Sequence, residues 1–210
     1  MRVYHFLPQK WAFDDIEKKR LKISLIEDLN DPFELMGIDT SDLDVRQALQ
    51  ETRRELGSKN GVLCFSRSWS NPVLWSHYAD KHKGIALGFE IPHSPESPIL
   101  MEVCYVDSPP RHTVEELLAW GEPEMQRLLT TKFTHWKYED EVRVFVSLEE
   151  KEADGRYYFT FSDNLILTNV ILGVRCEAEN AQIQRLICGF QKPVEIIRAR
   201  LDSTSFSVGK

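Results

Sequence analysis

Two glutamates and an arginine at alternate positions, Glu139, Glu141 and Arg143, lie within HWKYEDEVRVF at residues 135–145. In an extended strand, side chains alternate between faces. Glu139, Glu141, Arg143 and Phe145 would therefore share one side, with Asp140, Val142, Val144 and Val146 on the other. Three valines on a single side mark the face packed on a core. The opposite side presents a row of charges, which is either a solvated surface, the commoner fate of charged residues, or the floor of a cleft. In a cleft a carboxylate can hold a hydroxyl, take a proton or stabilise developing positive charge.

Other groups give weaker signals. His77 and His82 are five apart, which puts them on different helical faces, and no HExxH frames them, so the chain is read without a metal site. Asp31 and Glu34 could hold magnesium, but the simpler reading is a turn in which Asn30 and Asp31 bond the local backbone. No nucleophile elbow, P-loop or dinucleotide fingerprint is present. Trp75 reads as core. Tyr78, in the polar run Ser76-His77-Tyr78, reads as a flat surface on which a planar ring could stack.

With 210 residues, 42% of them hydrophobic, the chain can bury one core. The expected organisation is a single domain over 1–210 with a helical insertion at about 38–58. The 26 basic and 33 acidic residues leave a formal charge of -7, which disfavours broad electrostatic binding to nucleic acid and leaves only a focused site for it. Cys64, Cys104, Cys176 and Cys188 have neither zinc-finger nor disulfide-framework spacing. The start, MRVYHFLPQKW, lacks a signal-peptide core, and no apolar run is long enough to cross a bilayer. The expectation is a cytoplasmic protein without a membrane partner.

The elements that must position these residues follow from pattern. Strands are predicted at 3–7, 61–66, 85–91, 99–106, 156–161, 169–172 and 194–199, besides the one bearing Glu141. Helices are predicted at 11–20, at 41–56 with Gly57 as the stop, from Asn71-Pro72 to about 83–84, from the Thr113-x-x-Glu116 capping box to Leu129 with interruption at Gly121 and Pro123, and at 178–187. A short apolar segment covers 21–26. Strands outnumber helices and crowd the second half, which predicts an α+β fold with a mixed or antiparallel split sheet and peripheral helices.

Two resemblances add to this reading. Asn30-Asp31-Pro32-Phe33-Glu34, Cys64-Phe65-Ser66, Trp75-Ser76-His77-Tyr78-Ala79, His82-Lys83-Gly84 and Trp136-Lys137-Tyr138-Glu139-Asp140-Glu141-Val142-Arg143 together resemble a bacterial family of unknown function, some members of which occur beside phage-defence genes. The order of elements is also similar to the ADP-ribosyltransferase superfamily. There a first strand carries His or Arg, a second strand and its following helix carry Ser or Tyr, and a late strand begins with Glu. Tyr4-His5-Phe6, the strand ending at Ser66 with the helix ending at Tyr78, and Glu141-Val142-Arg143 fill these places. Glu139-Asp140-Glu141 looks like the paired-glutamate motif of the arginine-directed branch.

The resemblance implies an enzyme that consumes NAD as substrate and transfers ADP-ribose to an unknown acceptor, protein or nucleic acid, or to water, and that acts as a defence effector or toxin with an antitoxin or defence partner. Breaking the N-glycosidic bond creates an oxocarbenium-like ribose, which Glu141 would stabilise. Glu139 would be the base for the acceptor. Tyr4 and His5 would bind the adenosine side, with His5 as a donor, while Ser66 orients Glu141 and Tyr78 stacks on the nicotinamide. Arg143 would either neutralise Glu141 or grip the diphosphate bidentately. Two alternatives stay open. One is a non-catalytic nucleotide- or protein-binding module. The other is a metal-dependent nuclease built on Asp31, Glu34, Glu139 and Glu141, disfavoured because no lysine joins these acids on their strand face.

Overall fold

The computed structural model describes all 210 residues. Strand β1 (Arg2–Leu7) ends at Pro8, which has no N–H for a ladder and instead caps helix α1 (Gln9–Lys18). The helix buries Ala12 and Ile16 and stops at Lys19, which is left-handed. The apolar segment that follows divides into β2 (Arg20–Lys22) and β3 (Ser24–Leu25). Helix α2 (Leu43–Lys59) starts at Asp42, whose carboxylate accepts from the Asp44 and Val45 amides at 2.8 and 3.2 Å. Gly57, the expected stop, lies inside it. The chain passes from Lys59 straight into β4 (Asn60–Ser66) through an extended Asn60, so no left-handed turn calls for a glycine.

Helix α3 (Pro72–Tyr78) begins as expected: Asn71 Oδ1 accepts from the Val73 amide at 2.9 Å and Pro72 fills the first turn. It ends earlier than expected because Asp80, Lys81 and His82 all take positive φ, at 44°, 55° and 70°. This left-handed turn throws Gly84 against the end of β1. A Cβ on Gly84 would lie 2.2 Å from the Leu7 carbonyl oxygen, so only glycine fits. Strand β5 (Ile85–Glu90) follows at once.

The strand expected at 99–106 is broken at Val103 into β6 (Met101–Glu102) and β7 (Cys104–Val106), which join different sheets. The Thr113 capping box opens α4 (Val114–Leu118), and Gly121 with Pro123 starts a separate α5 (Glu122–Thr130). Strand β8 (Thr131–Phe133), a 3-10 turn (Thr134–Glu139) and β9 (Glu141–Ser147) come next. The remaining elements are β10 (Tyr158–Thr160), β11 (Ile166–Leu172), α6 (Asn180–Ile187), β12 (Glu195–Arg198), β13 (Arg200–Leu201) and β14 (Val208–Gly209).

The fold is α+β around an eight-stranded mixed sheet in the order β12-β11-β5-β1-β4-β9-β6, with β3 also paired to β4. Every pairing in it is antiparallel except β11 with β12. Apolar side chains cover both faces. Val3, Leu63, Phe65, Leu87, Val142 and Val144 pack with Ile16 of α1 and Ile183 of α6 on one face. Phe6, Ala86 and Ile171 pack with Leu74 and Trp75 of α3 on the other. Register places Gly88, Tyr4, Ser66 and Glu141 in one row across four adjacent strands. Gly88 leaves room in that row: a Cβ there would stand 3.2 Å from the Tyr4 ring.

Candidate active site

The valine-backed strand begins at Glu141, so the alternation read from sequence holds for Glu141 and Arg143 but not for Glu139. Glu139 ends the preceding 3-10 turn, and Asp140, left-handed at φ 44°, is the hinge between them. Aspartate tolerates that conformation better than most residues. It is also held by Arg67, whose Nε donates to Asp140 Oδ1 at 2.9 Å and whose amide donates to the Asp140 carbonyl at 3.0 Å. The hinge turns both glutamates inward, so the charged row is a cleft floor and not a wet surface.

A cavity of about 220 Å³ opens over this floor, and Tyr4, His5, Ser66, Tyr78, Glu139 and Glu141 all line it. Its residues come from β1, β3, β4, α3, β8, the 3-10 turn before β9, β9 itself and the segment 28–34. A link across the cleft fixes α3 to the turn, because Asn71 Nδ2 donates to the Tyr138 carbonyl at 3.1 Å.

Under the cavity lies a buried ion cluster that the sequence reading did not assemble. Lys132 Nζ stands 2.7 Å from Glu139 Oε2, 3.2 Å from Glu34 Oε1 and 3.3 Å from Glu141 Oε2. Arg143 is 1% exposed and donates to Glu141 through Nε and Nη2 at 2.9 and 3.0 Å, and to Glu34 through Nη1 and Nη2 at 2.8 Å each. Its Nη1 also donates to the Leu129 carbonyl at 3.0 Å. Three carboxylates against two cations leave one negative charge in excess when all are ionised. Breaking such a buried network by removing one partner costs about 3–5 kcal/mol.

The two glutamates are driven apart electrostatically. Burial pushes the Glu139 carboxyl up, against the pull of Lys132 and with help from the Glu141 charge. Burial acts the same way on Glu141, but the Arg143 guanidinium and the Lys132 ammonium outweigh it and hold Glu141 below the usual carboxylate range. Carboxyls separated in this way suit different roles, a proton carrier and a fixed charge. The surrounding charges raise Lys132 despite burial, so it stays an ammonium.

Several expected roles change with these contacts. Ser66 does not orient Glu141, because its hydroxyl donates to the Ser68 carbonyl at 2.8 Å and accepts from the Ser68 amide at 3.2 Å in a local turn. Lys132 and Arg143 do that orienting. Arg143 is not placed to grip a diphosphate, since its donors go to Glu34, Glu141 and Leu129 and it does not line the cavity. His5 Nδ1 lies 2.8 Å from the Cys64 carbonyl, which accepts from an N–H there. The free nitrogen Nε2 is then an acceptor in the neutral ring that burial favours, so His5 would take a hydrogen bond from a ligand and not give one. Tyr78 keeps its place at the cavity, but its hydroxyl donates to Glu139 and accepts from Asn30 Nδ2 at 2.7 Å.

The four acids of the nuclease reading are not a set. Asp31 Oδ1 accepts from the Phe33 amide at 2.9 Å, the turn role expected of it, while the three glutamates meet on the Lys132 ammonium. The lysine absent from the strand face is supplied by β8. Nothing in the spacing of Thr131-Lys132-Phe133 marks it. Tyr105, also unforeseen, donates no signal of its own to the sequence, yet its hydroxyl oxygen accepts from the Glu141 amide at 2.9 Å.

Residues 74–144 match the model of a family described as a protein of unknown function (DUF2971). This supports the resemblance to a family of unknown function. The matched segment carries Tyr78, Lys132, Glu139, Glu141 and Arg143, and leaves Tyr4, His5, Glu34 and Ser66 outside it. No curated protein and no solved structure matches the chain.

Proposed function

We propose that the chain binds NAD over the Glu139 and Glu141 floor and cleaves its N-glycosidic bond, as an ADP-ribosyltransferase or an NAD glycohydrolase. The supporting observation is the convergence of β1, β4, α3 and β9 side chains on one cavity above an acid cluster with surplus negative charge. Such a floor opposes the positive charge that grows on ribose as nicotinamide leaves. Glu141, kept ionised by Arg143 and Lys132, is the fixed counter-charge. Glu139, with its raised affinity for a proton, takes the proton from the attacking acceptor or water. Tyr4 and Tyr78 offer ring faces to the ligand, and His5 Nε2 accepts from a ribose hydroxyl.

The test is nicotinamide release from NAD by wild type and Glu141→Gln, with folding checked by circular dichroism. The expected loss is about a hundredfold or more. Equal, slow release from both proteins would falsify the catalytic assignment. One feature favours a second reading, a nucleotide-binding module without turnover: both Glu141 oxygens are already occupied by protein donors. NAD binding in a calorimeter with no nicotinamide formed would select it.

A further inference from the structure

A second cavity, of about 510 Å³, adjoins the first, and Lys132 lines both. The side chain that anchors the glutamate floor is thus also part of this chamber's wall. Its Nζ stands 4.6 Å from the Trp136 ring centre, and Trp136 lines the second chamber.

Two of the chamber's aromatic side chains are exposed, Phe133 with its ring centre 4.5 Å from that of His135. Phe33 is 69% exposed and Phe133 44% exposed. Phe33 is not loose: its amide donates to Asp31 Oδ1, the Glu34 amide donates to the Asp31 carbonyl at 3.0 Å, and Leu35 takes φ 57°. Asp31, Glu34 and Leu35 are all buried around it, so the turn points one ring outward while its neighbours face inward. A non-glycine residue held in the left-handed region costs free energy and persists where its surroundings over-determine it.

Charge narrows the occupant. The only cationic side chain in the lining is Lys132, whose ammonium already serves three carboxylates, while Asp31 and Asp107 add negative charge. A phosphate would find no free cationic side chain there. Phenyl and indole faces bind flat rings by stacking, in a manner tolerant of ring identity.

Resting on the NAD-cleaving reading, we propose that this second chamber is the acceptor site and takes a planar nitrogen heterocycle without phosphate, of the nucleoside class. The ring stacks between Phe33 and Phe133 with its nucleophilic N–H or O–H toward the Lys132 wall. That atom forms the new bond to C1′ of the ribose as the C1′–N bond to nicotinamide breaks. The bonding electrons go to the pyridinium nitrogen, and the acceptor's proton passes to Glu139.

The experiment titrates adenosine, AMP and NAD by calorimetry into wild type and Phe33→Ala, an exposed position whose truncation leaves the core intact. The expected result is that Phe33→Ala weakens adenosine binding by about fivefold or more, leaves NAD binding unchanged, and that wild type binds AMP more weakly than adenosine. Adenosine binding that is absent in wild type, unaltered in Phe33→Ala, or matched by AMP overturns the assignment. NAD turnover without Phe33-dependent adenosine binding removes this site alone. Phe33-dependent adenosine binding without NAD turnover removes the acceptor role together with the cleavage reading and leaves a binding site.

Discussion

Glu139 and Glu141 share one ammonium, at 2.7 and 3.3 Å from Lys132 Nζ, yet their proton affinities are pushed in opposite directions. The difference lies in the second cation. Arg143 faces Glu141 with two donors and does not reach Glu139, while Tyr78 gives Glu139 only a neutral hydroxyl. Two acids in near contact are thereby given different proton affinities without any change of residue type.

Replacing Tyr78 by Phe removes a hydrogen bond that lowers the Glu139 proton affinity. The Glu139 carboxyl is then expected to titrate at higher pH. If it serves as base, the rising limb of the pH profile for nicotinamide release moves to higher pH. An unmoved limb in Tyr78→Phe would assign the limb to another group.

Arg143→Met leaves Glu34 and Glu141 buried beside a single ammonium. Urea denaturation is expected to show a loss of about 3–5 kcal/mol. Adding Glu141→Gln to Arg143→Met should cost less than the two single losses summed, because the second change removes a charge that the first left unpaired. Strict additivity would mean that the pair is not coupled.

Asp15 of α1 lies away from the cleft and is 4% exposed. Burial, with the neighbouring Asp14 charge, pushes its carboxyl up to about 7 against the opposing pull of Arg20 and Lys18. The folded state therefore holds a proton that the unfolded chain releases near its ordinary value of 3.8. Stability falls as pH rises through the window between these values, by at most about 4 kcal/mol. Asp15→Asn should flatten that slope and be more stable than wild type at pH 8, as read from urea midpoints at several pH values.

Trp75 is fully buried, and its Nε1 donates to the Trp69 carbonyl at 2.7 Å. Trp75→Ala is expected to cost about 3–5 kcal/mol. It should also loosen α3 over the cleft, lowering NAD affinity measured at a temperature where the variant is still folded.

What could be read from the sequence was what is local. The valine face of β9, the Asn71-Pro72 start of α3 and the Thr113 box depend on residues a few positions apart, and all three are formed. The ion cluster depends on Glu34, Lys132 and Arg143 meeting from three separate segments, and no spacing rule links them. Gly57 misled because a glycine stops a helix only where a left-handed residue is needed, and the chain there runs on into a strand. Ser66 misled because a hydroxyl two residues from an amide is satisfied locally before it can reach across a sheet.

The close fit at Gly84 reaches further than its own turn. Any side chain there would have to displace the end of β1 from β5, and β1 is the strand that carries Tyr4 and His5 to the cavity wall. A single methyl group added at the entry to β5 would therefore disturb the pocket wall without touching the pocket, and a loss of function at that position would say nothing about chemistry.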